Sequence, residues 1–340
     1  MTSKRVALLA ILVVVIFAVT MSLCTAEVEP MDVVPRDNLE WHFYKNHNTC
    51  KDVEAYVKHE VELFYNKDKS IAPKLLRLLY SDCFVTGCDA SILLDGPDSE
   101  KMAPQNRGLG GFVVIDKIKM VLESRCPGVV SCADILHLAT RDAVHMAGAP
   151  SYPVFTGRRD GMSSRKSSVD LPLPSISIKE AIRYFESKGL NADDLGTLMG
   201  GHTMGRTHCS YVEDRLYNFK NTGKPDPAMN QTLLTKLIKQ CPRRTKKGQS
   251  DPLVYLNPES GSDYKFTSSY YSRVLSHEAS LTIDQQLLYN DDTMQITQEF
   301  AQSFEDFRKS FAYSVSKMGS IGLLTGKEGE IRRDCRHINK

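Results

Sequence analysis

The sequence predicts an all-α fold, and three observations carry that prediction. Apolar residues recur at helical spacing through most of the chain, while the alternation of a strand is scarce. A Pro- and Ser-rich stretch, Asp170-Leu171-Pro172-Leu173-Pro174-Ser175, separates two helical regions and reads as a linker between lobes. The 340 residues are enough for a large core divided between two such lobes.

From the N-terminus, Lys4 and Arg5 precede an unbroken apolar run from Val6 to Val19, and Ala26 with small neighbours offers a cleavage point. This pattern reads as a secretory signal over residues 1–26, removed from a mature domain of 27–340. An uncleaved anchor is the alternative, but the run is shorter than the ~20 residues a spanning helix needs. Of 43 basic and 41 acidic residues, cleavage removes Lys4 and Arg5 and no acid. The mature charge is then 41 minus 41, or zero, which argues against a nucleic-acid-binding surface. Arg243, Arg244, Lys246 and Lys247 form a short basic run that reads as a solvated loop. Asn230-Gln231-Thr232 is an N-glycosylation sequon, consistent with export.

Val53, Tyr56, Val57, Val61 and Phe64 trace one helix, and Leu75, Leu78 and Leu79 a second. Ser131-Cys132-Ala133-Asp134 caps the start of a third, which stops near Gly148-Ala149-Pro150. Asn191 caps a helix whose first turn carries Asp193 and Asp194, the sign that suits the helix dipole. Phe300, Phe304, Phe307 and Phe311, spaced by four, three and four, form an aromatic stripe that reads as core. The stretch from Pro242 to Lys265 is irregular.

Several residues carry candidate chemistry. Leu195, Leu198, Met199 and His202 share a helix face by i, i+3, i+4, i+7 spacing. Alone, a histidine there is more often a core residue than a ligand. Arg77 and Ser81, four apart, share another face. Asp82, Asp89 and Ser91 supply side-chain oxygens, and Val85 and Gly87 carbonyls, from one tight loop. Such a set suits calcium, and a solvated acidic loop is the alternative. Cys24 lies in the signal, so eight of nine cysteines remain, an even set that points to disulfides. Spacing alone leaves 105 pairings open. A zinc site is the weaker alternative, since no Cys-x-x-Cys pair occurs.

The run from Arg77 through Tyr80-Ser81-Asp82-Cys83-Phe84-Val85-Thr86-Gly87-Cys88-Asp89-Ala90-Ser91 closely resembles the distal haem motif of the secreted plant (class III) peroxidases. Gly200-Gly201-His202-Thr203-Met204-Gly205 resembles the proximal motif of that family, with Cys209 at its spacing. The resemblance extends from about Leu39 to Asn339. It implies a two-lobed haem peroxidase fold with haem b between a distal lobe (about 39–169 plus the C-terminal tail) and a proximal lobe (about 178–325), joined by a linker at 170–177. It implies the disulfides Cys50–Cys126, Cys83–Cys88, Cys132–Cys335 and Cys209–Cys241. His202 becomes the axial iron ligand and Asp284 its carboxylate partner, with Ile283 in place of the family's serine.

On the distal side the resemblance makes Arg77 the group that polarises peroxide, Tyr80 a replacement for the family's phenylalanine, and Glu100 and Asn106 part of a hydrogen-bonded chain. Ser81 stands at the position of the acid–base histidine, and no motif places His137, His145 or His208 there instead. Asp82, Val85, Gly87, Asp89 and Ser91 match a distal calcium site. Thr203 matches a proximal one, but that site is expected to be weak or absent, because Thr267 and Asn257 replace aspartates. Pro172 matches the proline whose carbonyl accepts a hydrogen bond from aromatic donors, and an arginine of the family is lost at Gly110. The expected protein is a secreted, extracellular or cell-wall monomer. By resemblance it uses hydrogen peroxide and small phenolic donors, with low or no activity because of Ser81. The alternative is a non-catalytic haem-binding sensor or scavenger of small ligands.

Overall fold

The computed structural model describes residues 38–243 and 251–340. The signal segment 1–26, and Arg244, Lys246 and Lys247 of the basic run, lie outside the described residues. Among the described residues no helix is long and apolar enough to cross a membrane.

The chain is mostly helical. After the short α1 (Phe43–Asn46), α2 (Val53–Lys67) buries Val53, Val57 and Val61, one face at a spacing of four. Helix α3 (Ile71–Cys83) buries Leu75, Leu78 and Leu79, and also Ser81 and Asp82. Helix α4 (Phe112–Arg125) follows Gly111, whose φ of 94° favours glycine. Helix α5 (Cys132–Met146) is buried on nearly every side, and α2, α3 and α4 pack around it. Its start is fixed as expected, with Ser131 Oγ accepting the Asp134 N–H at 3.1 Å.

The segment 170–177 contains no helix, and α6 (Ile178–Ser187) then opens on a reciprocal cap between Ser177 and Glu180. Next come α7 (Ala192–Met199), α8 (Glu213–Tyr217), α9 (Gln231–Gln240), α10 (Ser269–Leu275), α11 (Thr282–Gln286), α12 (Asp291–Gln302) and α13 (Phe304–Met318). Helices α6, α12 and α13 pack on α7, and α10 packs on α12. Two small antiparallel pairs complete the fold. Strand β1 (Glu40–Trp41) pairs with β2 (Phe155–Thr156), and β3 (Arg206–His208) pairs with β4 (Leu253–Tyr255) in the register Arg206 to Tyr255.

All four disulfides implied by the resemblance are present. Cys132–Cys335 spans 203 positions and ties the first turn of α5 to the C-terminal tail. On the chain-entropy argument a loop of that length contributes about 5 kcal/mol by constraining the unfolded chain.

Two elements depart from the sequence-based expectation. Helix α7 ends at Met199, and Gly200–Met204 continues as a 3-10 turn, so His202 is not on the α-helical face that its spacing suggests. The aromatic stripe is broken at Ser303, which adopts an extended conformation and caps α13 by accepting the Asp306 N–H. Phe300, Phe307 and Phe311 are buried, whereas Phe304, the first residue after the break, is 38% exposed. Phe307 stacks on Phe266 at 4.6 Å between centroids and meets Tyr271 edge-on at 5.0 Å. Phe307→Ala should therefore cost roughly 3–5 kcal/mol in guanidinium unfolding, while Tyr313→Ala on the exposed face of the same helix should change stability by about 0.5 kcal/mol or less.

Candidate functional site

Helix α7 delivers the chain to His202. Asn191 and Asp194 fix its start: Asn191 Oδ1 accepts the Asp194 N–H, and the Asp194 carboxylate accepts the Asn191 N–H. At its end Gly200 is required by packing. A Cβ there would lie 2.3 Å from Tyr271 Oη and 2.5 Å from a Phe307 ring carbon. Glycine thus brings the turn against the aromatic core. At Gly201 an added Cβ would lie 3.1 Å from Leu76 of α3, the residue before Arg77, so α3 and the His202 turn are neighbours.

His202 and Asp284 are 82 positions apart in sequence and meet at 2.7 Å between Nδ1 and Oδ1. Helix α11 presents Asp284, which is 1% exposed. A carboxylate only accepts, so the imidazole donates from Nδ1, and in the neutral ring this leaves the lone pair on Nε2. Tyr270 Oη donates to the same Oδ1 at 2.9 Å. Burial and the adjacent Asp284 push the Tyr270 phenol well above its usual range, so it stays protonated and donating. Sequence reasoning missed Tyr270; its place in Tyr270-Tyr271, beside the Thr267 motif position, was the available signal. The imidazole itself is 33% exposed, so one side of it is accessible. An imidazole with one nitrogen committed to a buried carboxylate and the other free fits the axial ligand of a haem.

On α3, Arg77 is exposed at its head; Nη2 donates to the Gln105 carbonyl at 3.1 Å, and the guanidinium lies 5.1 Å over the Tyr80 ring. Asn106 follows directly, its Nδ2 donating to the Glu100 backbone carbonyl at 2.9 Å. Ser81 is fully buried, and neither its Oγ nor Asn106 Oδ1 has a hydrogen-bond partner among the described residues. All nine histidines are described, and none bonds to Ser81. His137 lies deep in α5 with Nε2 3.8 Å from Cys83 Sγ, and burial holds it well below its usual pKa. His145 contacts the Ala149 carbonyl and His208 the Asp251 carbonyl. Pro172 is half-buried between buried Leu171 and exposed Leu173.

The loop after Ser81 is tied together by its own side chains. Asp82 accepts the backbone N–H groups of Ala90 and Ile92, Asp89 accepts that of Ser91, and Ser91 Oγ lies 2.9 Å from Thr86 Oγ1. Gly87, with φ of 121°, packs against the backbone of Gly322 with no room for a Cβ, and the neighbouring Val85 is half-buried. Glu100 is completely buried beside this loop, and neither carboxyl oxygen has a hydrogen-bond partner among the described residues. Burial raises the pKa values of Asp82 and Asp89, Asp89 raises that of Asp82 further, and burial pushes Glu100 up to about 8. The carboxyls of Asp82 and Asp89 and the Ser91 hydroxyl on one tight loop are a donor set that fits calcium. The second set, around Thr203, contains no carboxylate and does not fit.

A family model described as peroxidase matches residues 57–303. Among curated proteins, the chain is 72% identical over 301 residues to probable peroxidase 26 of Arabidopsis thaliana, covering 88% of this chain and 90% of the relative. It is 71% identical over 305 residues to probable peroxidase 61 of the same plant, covering 90% of each. Peroxidase 60, also from Arabidopsis thaliana, is 42% identical over 290 residues, covering 84% of this chain and 86% of the relative.

The buried carboxyls have a consequence for stability. Glu100 has a folded pKa raised from 4.5 to about 8, so the folded state holds its proton more tightly than the unfolded chain. In calcium-free protein its contribution is fully present below pH 4.5 and is lost as pH rises towards 8, by at most about 1.4 kcal/mol per pH unit. Urea midpoints in chelator should fall across that window, and Glu100→Gln should flatten the decline; an unchanged slope would contradict this electrostatic picture.

Proposed function

We propose that this chain, which belongs to the plant class III peroxidase family, is a secreted, two-lobed haem protein that oxidises small phenolic donors with hydrogen peroxide, and does so slowly. The observation that carries the proposal is the contrast between its two sides. His202 is fully equipped with its buried carboxylate, while Ser81 is buried with no imidazole bonded to it.

Haem, when bound, supplies the redox chemistry with peroxide. His202 would hold its iron through Nε2, and Asp284 keeps the Nδ1 proton in place and makes the imidazole a stronger donor. Tyr270 shares the negative charge of Asp284. Arg77 brings a fixed positive charge that favours negative charge on peroxide oxygen. Moving a proton from one peroxide oxygen to the other needs a group that is basic near neutral pH. The Ser81 hydroxyl is not one, because its protonated form is far too acidic. Acid–base catalysis is worth ~10²–10⁴-fold, or roughly 3–5 kcal/mol of barrier. Donors would meet the Pro172 carbonyl, and one calcium would sit on Asp82, Val85, Gly87, Asp89 and Ser91.

A second reading is a non-catalytic sensor or scavenger. The unpartnered Ser81 Oγ and Asn106 Oδ1 favour it, since buried polar atoms take up water or a small ligand. Purified holoprotein mixed with peroxide and a phenol separates the two. Sustained turnover supports the enzyme, and stable haem without turnover supports the sensor.

Ser81→His should raise the second-order rate of peroxide-driven haem oxidation by at least ~10²-fold in stopped flow. Wild-type rates already equal to those of histidine-bearing relatives would remove the claim of impairment. His202→Ala should abolish stable haem uptake, and a retained Soret band of normal position would refute the axial assignment.

A further inference from the structure

Behind His202 lies a knot of neutral polar groups centred on a single nitrogen. The β3–β4 register sets Arg206 against Tyr255, which brings Asn257, two residues beyond β4, beside Thr203. Asn257 and Thr203 are both fully buried. Asn257 Nδ2 lies 2.8 Å from Ser269 Oγ, 3.1 Å from Thr203 Oγ1, 3.2 Å from Ser260 Oγ and 3.4 Å from Thr267 Oγ1. Its Oδ1 faces away and accepts the Glu259 N–H at 3.3 Å, which fixes which end of the amide is nitrogen. The hydroxyls also bond one another: Thr203 to Thr267 at 3.1 Å and Thr267 to Ser269 at 2.8 Å. Ser260 Oγ lies within reach of both the Thr203 and the Lys265 carbonyl, so its single hydrogen is used there and its lone pairs are left for the amide.

Four oxygens converging from three chain segments on one point is the arrangement expected around a cation. Here the point is an N–H₂ group. The set lacks the negative charge a divalent ion requires to offset its lost hydration. The acids between Asn257 and Ser269 are Glu259 and Asp263, and both are exposed. We propose that the Asn257 amide takes the place of a cation in this pocket, so that the segment behind His202 is held by neutral hydrogen bonds and is indifferent to calcium. Asn257 acts as a positioning residue. It joins Thr203, next to His202, to the 267–269 turn that starts the helix carrying Tyr270, and Tyr270 donates to Asp284. The inference does not depend on catalytic activity or on the haem reading.

The test is calcium stoichiometry with thermal unfolding on the full chain. After chelation and dialysis, calorimetric titration of wild-type protein should give no more than one equivalent of calcium. Asn257→Asp with Thr267→Asp restores two carboxylates and should gain one equivalent. Asn257→Ala should lower the melting temperature by roughly 4 °C or more, a loss that neither calcium nor potassium restores at constant ionic strength. If the double variant fails to fold, the wild-type stoichiometry and the alanine variant decide the matter. Two equivalents in the wild type, a wild-type melting temperature that rises with potassium over choline, an alanine variant as stable as the wild type, or a folded double variant that gains no calcium would each overturn the proposal.

Discussion

The hydrogen bond between His202 and Asp284 is the constraint on which the rest of this site depends. An imidazole has two nitrogens, and committing one hydrogen to a buried carboxylate decides what the other can do. That commitment needs an acid at 1% exposure, which would be costly without a second donor, and Tyr270 supplies one. The surrounding structure serves this contact. The cap at Asn191 sets where α7 begins, Gly200 lets its end press on Tyr271 and Phe307, and the Asn257 knot joins the backbone after His202 to the start of α10.

The side formed by α3 is built with comparable care around a different residue. Arg77 is tethered to the Gln105 carbonyl, Asn106 to the Glu100 carbonyl, and the oxygen-rich loop follows without interruption. Ser81 is small and its backbone is an ordinary part of α3. On the proposed reading, a hydroxyl there in place of an imidazole would alter proton affinity without disturbing the scaffold. Ser81 and Asn106 each carry a buried polar atom without a partner among the described residues. The four disulfides and the His202–Asp284 contact are formed whatever residue stands at position 81. In the second half of the chain, hydroxyls and one amide maintain a junction without charge.

Much of this was legible in the sequence, for identifiable reasons. Helix starts at Ser131 and Asn191 could be read because a cap is a local event between a side chain and N–H groups three residues on. The Cys50–Cys126, Cys132–Cys335 and Cys209–Cys241 pairings and the His202–Asp284 contact span too many residues for spacing to fix, and they came from resemblance. Periodicity carried His202 onto an α-helix that in fact stops at Met199, because 3-10 and α turns share the same early spacing. It also ran an aromatic stripe straight through Ser303, where a polar cap breaks the helix. The direction of the Asn257 amide could not be read at all, since it depends on which tertiary partners arrive.

The central claim is that proton transfer on the α3 side lacks a titrating base. It is tested most directly by the pH dependence of the rate constant for peroxide consumption by the wild-type holoprotein, measured by stopped flow from about pH 4 to pH 9. The account predicts a small rate constant with no inflection in the range where histidine ionises. A large rate constant that rises through such an inflection would mean that some other base serves the site, and would contradict it.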